Sequence, residues 1–279
     1  MQAKLVTYNV QGLGAYQGVM PPPSRAQNER LQAVADSIKE LDGDVVSLQE
    51  VPSKSALENF VRSQGLAQQY PHRRFFQTND ENGANHLAVL SKHPILESKS
   101  NKERPVTVAG WNRPTYLTRD ITEVKVKLGG WPVRIYNTHL KANSQLRHYD
   151  PDRQRAQEVS TNLRLAEGRA LKDIIKANFK KCPSEHFVVT MDANATPGDK
   201  VISHLTSGHA PAHDVIGEAA GFESHPASGR RLDYILLSDG LARHYVQGSA
   251  KVLDNSTTRR ASDHNPEVLM LDLPDLPPV

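Results

Sequence analysis

Two long amphipathic segments, each placed between apolar runs, constrain the fold of this 279-residue chain most. In the first unit, Lys4–Val10 (KLVTYNV) has the aliphatic and β-branched content of a strand, and a loop rich in glycine and proline follows. Apolar residues then recur at helical spacing over Arg25–Leu41, which Asp42-Gly43 closes with a turn. The next run, Asp44–Glu50 (DVVSLQE), is again aliphatic. This region therefore predicts a strand, a helix and a strand.

A second unit of the same kind follows: Val133–Leu140 (VRIYNTHL), an amphipathic stretch over Asp152–Ala177, and His186–Asp192 (HFVVTMD). Five further strands are predicted: His86–Ser91, Arg119–Leu128, Arg231–Leu237, His244–Leu253 and Glu267–Asp272. More than about eight strands with several helices indicate an α/β fold in which a mixed sheet system is covered by helices.

The composition favours one soluble domain spanning residues 1–279. Its prolines and glycines are scattered among the apolar runs, and no linker or low-complexity tail separates two parts. The single cysteine, Cys182, excludes an internal disulfide framework, so we expect a cytoplasmic protein with no need for an oxidising compartment. No run approaches a membrane span of roughly 20 apolar residues, and we expect no membrane partner. The net charge of +3 favours polyanionic partners only mildly.

Four predicted strands finish on polar residues: Asn9, Glu50, His139 and Asp192. Each alone has an ordinary structural explanation, such as a turn, a solvated carboxylate or a hydrogen-bonded core histidine. As a set they point to function, because catalytic side chains gather on the loops where the strands of a rigid scaffold end.

The segment Thr258–Val268 (TRRASDHNPEV) adds a carboxylate, an imidazole and an amide before the last strand. A turn alone would explain it, since Asn and Asp bond to their own backbone and proline fixes a bend. The alternative is a metal-assisted attack on a phosphate ester. A hard cation such as Mg²⁺ prefers oxygen ligands, which Glu50 and Asp263 would provide, with Asn9 and Asn194 as neutral donors.

Proton transfer requires further groups. His264 is the candidate general base at neutral pH, and Asp233 is the candidate carboxylate that holds its tautomer. His139 would act from the other side of the phosphate, as a general acid for the leaving oxygen or as a donor to its charge. Arg119 would supply a guanidinium to the phosphate.

Seven short segments occur in order along nearly the whole chain: Thr7–Val10 (TYNV), Leu48–Val51 (LQEV), Gly83–Ile95 (GANHLAVLSKHPI), Asn137–Leu140 (NTHL), Met191–Pro197 (MDANATP), Arg231–Ser238 (RLDYILLS) and Ser262–Pro266 (SDHNP). A single tripeptide would be weak evidence, but seven in order are strong. Together they resemble the endonuclease/exonuclease/phosphatase superfamily, which is deoxyribonuclease I-like.

The resemblance implies a four-layer α/β sandwich, with two packed mixed β-sheets flanked by helices, and a Mg²⁺-dependent hydrolase of phosphate esters, with Mn²⁺ as an alternative metal. It implies Glu50 as the metal carboxylate with Asn9 and Asp263 nearby. Asp192 and Asn194 are similar to the residues that orient the nucleophile and hold phosphate or metal. Asp233 with His264 resembles the family's Asp-His pair, and His139 resembles the second histidine of the deoxyribonuclease, sphingomyelinase and phosphatase branches.

Two departures narrow the choice. Abasic-site endonucleases of this superfamily carry Asn where His139 stands, and usually an aromatic residue where this chain has Gly229-Arg230, so abasic-site repair is disfavoured. The leading hypothesis is a nuclease that hydrolyses DNA or RNA phosphodiester bonds. The alternatives are a phosphatase or phospholipase-type hydrolase of inositol phosphates or sphingomyelin, or a non-catalytic binding protein that keeps the fold.

Three other patterns have weaker interpretations. The histidines of HLTSGHAPAHD, namely His204, His209 and His213, have a spacing that would also suit zinc, but surface residues on a loop are more usual. The pairs Arg73-Arg74, Arg230-Arg231 and Arg259-Arg260 would suit either phosphate contacts or solvated surface. Cys182 has no adjacent base and is expected to be inert.

Overall fold

The structure, a computed structural model of the chain, describes residues 1–15, 23–80, 85–142, 152–217 and 221–275. Most of the glycine- and proline-rich loop after the first strand and the first two residues of Gly83–Ile95 lie outside this part. The strands are β1 Gln2–Asn9, β2 Val45–Val51, β3 His72–Phe76, β4 His86–Ser91, β5 Ile95–Ser100, β6 Pro105–Val106, β7 Thr115–Tyr116, β8 Ile121–Leu128, β9 Trp131–His139, β10 His186–Asp192, β11 Ala212–His213, β12 Asp233–Ser238, β13 Lys251–Val252 and β14 Glu267–Asp272.

The helices are α1 Arg25–Leu41, α2 Lys54–Ser63, α3 Arg153–Lys181, α4 Lys200–Thr206, α5 Asp239–Ala242 and α6 Thr258–Ala261, with 3-10 helices at Gln11–Ala15 and Pro226–Ser228. None of these helices is long and apolar enough to cross a membrane, as far as the described residues extend. The helix α1 occupies the predicted range. It begins at Ser24, whose hydroxyl accepts from Gln27 N while the Gln27 side chain accepts from Ser24 N, and this reciprocal cap fixes its first turn.

Two six-stranded mixed sheets form the body of the protein. Their strand orders are β13-β14-β1-β2-β4-β3 and β11-β12-β10-β9-β8-β5, and β6 pairs with β7 in a separate two-stranded sheet. Within the first sheet β1 runs parallel to β2, and within the second β9 runs parallel to β10. Each parallel pair is the strand–helix–strand unit that the sequence predicts, because parallel neighbours need a crossover helix between them.

Three apolar clusters stack through the molecule and define four layers. One packs α1 and α2 on the outer face of the first sheet, and a second packs α3 and α4 on the outer face of the second sheet. The third lies between the sheets and contains aliphatic residues of both, such as Leu5, Val45, Val133 and Val188. The expected four-layer α/β sandwich is therefore confirmed.

Some elements differ from the predictions. The predicted strand His244–Leu253 is wrong: only Lys251–Val252 is a strand, because a turn in which Ser249 N donates to Val246 O interrupts the segment. The edge strand β5 was not predicted, since most of its side chains are exposed and it lacks an apolar pattern. The short elements α2 and β3 were also missed.

The space between the sheets changes character along the strands. Toward the carboxyl ends of β1 and β2 the aliphatic contacts give way to hydrogen bonds between buried polar side chains. Thr190 donates to Ser47 Oγ at 2.8 Å, and Gln49 Nε2 donates to Asn137 Oδ1 at 2.8 Å. The Asn137 amide donates in turn to the carbonyls of Leu48 and Ala88. This buried polar layer leads directly to the strand ends.

Candidate active site

The strand ends of the two parallel pairs meet at one rim of the sandwich. Asn9 is the last residue of β1, and Glu50 is the last but one of β2. His139 and Asp192 are the last residues of β9 and β10. Asn9 Nδ2 lies 2.9 Å from Asp192 Oδ2, so the two sheets touch at this point. We name these four residues with Asp233 and His264 the rim cluster.

Glu50 reaches the rim because its backbone leaves the strand geometry. Its φ is +58°, in the left-handed region, and the register of β2 against β4 shifts between Leu48 and Val51. A residue with a Cβ costs roughly 1–3 kcal/mol in that conformation. The Glu50 carboxylate accepts from Asn9 Nδ2 at 3.1 Å and retains a quarter of its side-chain exposure. The strain therefore aims a half-buried carboxylate at the rim.

Asp192 lies at the centre of the cluster. One of its oxygens, Oδ2, is 3.2 Å from His139 Nε2 and 3.8 Å from His264 Nε2, and it also accepts the bond from Asn9. Its other oxygen accepts from Asn194 N at 2.9 Å. Both Asp192 and His139 are buried, so these contacts occur away from bulk water.

Asp233 and His264 form a buried pair next to Asp192. His264 Nδ1 is 2.7 Å from Asp233 Oδ2, which leaves Nε2 facing the cluster. Ser224 fixes the carboxylate, because its hydroxyl donates to Asp233 Oδ2 at 2.7 Å and accepts from the backbone N–H groups of Leu232 and Asp233. The predicted Asp-His pair is thus in hydrogen-bond contact.

The two histidines have opposite pKa shifts. Burial, reinforced by the charges of Arg119 and His264, holds the pKa of His139 well below its usual value, so this ring is neutral at pH 7. Burial acts in the same direction on His264, but the carboxylates of Asp233 and Asp192 outweigh it and raise the pKa of His264 to about 10. Asp192 lies near both rings, so the hydrogen bond of His264 to Asp233 is the contact that distinguishes the charged ring from the neutral one.

The carboxylates of the cluster lack sufficient counter-charge. Burial raises the pKa of Glu50, and it raises the pKa of Asp192 to about 7 against the opposing effect of His264. Ligand atoms of Glu50, His139 and Asp192 lie within 4.8 Å of one another. Two desolvated carboxylates with one imidazole form a donor set that fits a divalent cation, because the cation would replace the missing counter-charge.

The remaining predicted site residues surround this set. Arg119 is buried, donates from a guanidinium nitrogen to Leu140 O at 2.8 Å, and has an Nε without a partner. Asn194, at φ +48°, donates its amide to the same carbonyl at 3.1 Å. Both polar atoms of the Asn9 side chain form hydrogen bonds. Its Oδ1 accepts from Gln11 N, and its Nδ2 donates to the carboxylates of Glu50 and Asp192. It therefore orients Glu50 and Asp192 as the site stands.

Asp263 is not in the same group of potential metal ligands as Glu50, although its charge helps to raise the pKa of Glu50. Its side chain is exposed and groups with His225 and His264, whereas Glu50 groups with His139 and Asp192. The predicted metal carboxylates Glu50 and Asp263 thus fall in two different groups of three, and Asp192 takes the place beside Glu50. The role of Asp263 as a metal ligand stays a prediction.

Sequence reasoning missed several residues that build the site. Ser224 anchors Asp233, and Ser262 donates to Asn9 O at 2.7 Å while it accepts from His264 N. The ring of His225 stands edge-on to that of His264, with centroids 4.9 Å apart. Ser262 could have been identified from the sequence, since it is the first residue of the segment SDHNP. Ser224 and His225 lie in irregular structure without periodicity, where no pattern singles them out.

The weaker patterns find little support. Within the part of the chain that the structure describes, the groups able to hold a metal include none of His204, His209 and His213, and His213 instead contacts Asp239. Arg231 is buried against Asp214 and Glu267, and Arg259 pairs with Asp254, so one member of each of these arginine pairs is already engaged by carboxylate. Cys182 is an exposed free thiol.

Comparison with known proteins finds relatives of this chain in sequence and in fold. Over 125 residues, the chain is 34% identical to an inositol phosphosphingolipids phospholipase C of Schizosaccharomyces pombe; the match covers 43% of this chain and 28% of that longer protein. The chain therefore spans well under half of the length of this curated relative.

Solved structures share the fold. An endonuclease/exonuclease/phosphatase from Beutenbergia cavernae superposes with a TM-score of 0.70 at 20% identity, over 98% of this chain and 72% of that one. The human nocturnin catalytic domain with bound sulfate gives 0.68 at 19% identity, over 97% and 94%. The model of the Endonuclease/Exonuclease/phosphatase family, whose members hydrolyse phosphate esters, matches residues 6–264. The chain belongs to that family.

Proposed function

We propose that this protein is a divalent-metal-dependent phosphodiesterase that hydrolyses phosphodiester bonds of DNA or RNA. The observation that carries the proposal is the contact of His264 Nδ1 with Asp233 at 2.7 Å, with His264 Nε2 turned toward Asp192 beside Glu50. An imidazole oriented by a buried carboxylate is the arrangement that removes a proton from an attacking water.

The charge of His264 links proton transfer to the metal. A protonated imidazole cannot act as a base, and the carboxylates around His264 raise its pKa to about 10. A divalent cation, with Mg²⁺ and Mn²⁺ as the candidates, would be held by Glu50 and Asp192, would offset the negative charge of the phosphate and would bring the pKa of His264 down. We therefore expect His264 to become a competent base only in the metal-loaded protein.

Of the two roles expected for His139, we infer that of a hydrogen-bond donor to the charge of the leaving oxygen and not that of a general acid. Its pKa is held well below its usual value, so the ring is neutral and has no extra proton to release to a leaving group. Its Nε2 faces Asp192, and its buried Nδ1 has no partner. A neutral ring in this place supports the phosphate by donating a hydrogen bond to developing charge.

A phosphosphingolipid is the second candidate substrate. The identity of 34% over 125 residues to an inositol phosphosphingolipids phospholipase C favours it. The same rim cluster would serve both reactions, since it handles the phosphate while the surrounding loops choose what carries the phosphate. The net charge of +3 is compatible with either substrate.

Metal-dependent hydrolysis with matched variants tests the proposal. Wild type and His264→Gln are compared in Mg²⁺, Mn²⁺ and EDTA on plasmid DNA, structured RNA, bis-p-nitrophenyl phosphate and phosphosphingolipid vesicles, with His209→Gln as an exposed control distant from the rim. We expect nucleic acid cleavage that EDTA and His264→Gln both abolish and His209→Gln leaves intact. Cleavage confined to the vesicles would replace the nuclease proposal with the lipid one.

A further inference from the structure

A groove runs between α2 and the edge strand β3. Its near part is a depression of about 620 Å³ lined by Lys54, Phe75, Gln77 and His86 among others. A second depression of about 410 Å³ extends it past His72, Arg73 and Arg74 and shares Lys54, Glu58 and Phe75 with the first. We name the two together the α2–β3 groove.

The near end of the groove lies next to the rim cluster. Ser53, which lines it, follows Glu50 by three residues, so the two lie within roughly 10 Å along even a fully extended chain. His86, on the other wall, pairs across the sheet with Val51, the residue directly after Glu50. A substrate whose phosphate is held at Glu50 therefore has the groove as a continuation.

His86 brings an unused hydrogen-bond donor to this near end. The residue is 7% exposed, and its Nδ1 accepts from Thr78 N at 3.1 Å. Burial lowers the pKa of His86, so the ring is neutral and its one proton resides on Nε2. That nitrogen has no hydrogen-bond partner among the described residues, and the ring lines the depression.

The groove carries net positive charge. Arg73 donates to Glu58 Oε1 at 3.1 Å and to Glu58 Oε2 at 2.7 Å, so these two charges cancel. Lys54 and Arg74 are exposed and form no ion pair with any carboxylate in the described ranges. The first turn of the ten-residue α2 adds its partial positive charge at Lys54. The groove thus offers two cations and a neutral donor.

We propose that the α2–β3 groove binds the phosphates that flank the scissile phosphate of a nucleic acid strand; this rests on the proposed function and names the part of the substrate held outside the rim cluster. Repeated negative charge along a flexible backbone complements Lys54 and Arg74, and the exposed part of Phe75 offers a surface on which a base stacks. A phosphosphingolipid carries its phosphate next to apolar chains, so a single lipid molecule has no covalently linked row of phosphates to place along the groove.

Binding of a fluorescein-labelled oligodeoxythymidine tests the groove. Fluorescence anisotropy is measured with His264→Gln, which does not cleave, and with the same protein carrying Lys54→Gln and Arg74→Gln. We expect the added pair to weaken binding about tenfold or more at low salt and to make the slope of log K against log salt shallower by about one. In an otherwise wild-type background, the same pair should hydrolyse bis-p-nitrophenyl phosphate at an unchanged rate.

Lys180→Gln with Arg243→Gln is the matched control, because it removes two exposed cations near the other end of the sandwich. Equal weakening by this control, or unchanged binding and salt slope in the groove variant, would overturn the proposal. Loss of bis-p-nitrophenyl phosphate hydrolysis in the groove variant would also overturn it. Groove-dependent oligonucleotide binding in a protein that hydrolyses bis-p-nitrophenyl phosphate but cleaves no nucleic acid would support the groove and refute the proposed function.

Discussion

The two ends of the space between the sheets are built from the same strands but from opposite chemistry. At one end, aliphatic side chains such as Leu5 and Val188 fill the space. At the other end, Thr190 donates a hydrogen bond to Ser47 and Gln49 donates one to Asn137. Beyond these pairs lie the carboxylates and imidazoles of the rim cluster. Apolar burial stabilises the fold, whereas burial of carboxylates opposes it. The comparison teaches that apolar burial at one end of the sandwich offsets the cost of burying carboxylates at the other end.

The strongest test of the comparison is to remove a carboxylate at the rim. Glu50→Ala should lower metal-dependent turnover by at least about a hundredfold, because it deletes a proposed cation ligand and a desolvated charge. The melting temperature in EDTA should stay level or rise, since a half-buried charge disappears while alanine keeps the same backbone strain. Turnover on bis-p-nitrophenyl phosphate and calorimetry measure the two effects. A large fall in stability with little loss of turnover would contradict the division between the ends.

The opposite result is expected at the apolar end. Leu5 is 1% exposed in the cluster between the sheets, so Leu5→Ala leaves a cavity that should lower the free energy of unfolding by about 2–5 kcal/mol. Urea denaturation measures this loss. Turnover per folded molecule should be that of wild type, and a hundredfold fall would show that the two ends are coupled.

A smaller effect is expected in the polar layer between the ends. The Thr190 hydroxyl donates to Ser47 Oγ and also lies 3.2 Å from Tyr136 O. A double-mutant cycle of Thr190→Val and Ser47→Ala should give a coupling free energy of about 0.5–1.5 kcal/mol in unfolding experiments. Strictly additive single variants would mean that this bond joins the sheets without stabilising them.

The smallest effect concerns pH. Burial raises the pKa of Glu267 to about 7, against the opposing charge of Arg231. The protonated form is favoured in the fold, so the contribution of this group to stability is complete below pH about 4.5 and is lost as the pH rises through about 7. Between pH 5 and 8, Glu267→Gln should therefore gain on wild type by on the order of 1 kcal/mol. Parallel stability curves would show that Arg231 cancels the cost of burial.

The sequence predicts the scaffold and the rim better than it predicts the walls around the rim. Asn9, Glu50, His139 and Asp192 were found because each ends an apolar strand, and the pairing of β1 with β2 and of β9 with β10 brings such ends together. The ends of such strands can be recognised from the local pattern of apolar residues.

Other features depend on contacts that no local pattern encodes. Ser224 anchors Asp233 from irregular structure, and the groove needs β3, whose segment HRRFF has two arginines where a buried strand would have apolar residues. The placement of Asp192 rather than Asp263 beside Glu50 depends on the distance between two sheets. Such distances come from packing and not from spacing in the sequence.

The left-handed backbone of Glu50 has a consequence for how this protein tolerates mutation. Glycine adopts a φ of +58° without the penalty that a side chain incurs, so Glu50→Gly would relax the backbone and remove a desolvated charge in one change. Among random variants screened only for solubility or heat resistance, this substitution should be enriched, although it deletes a residue that the proposed chemistry requires. Glutamate therefore persists at this position only under selection for what the molecule does.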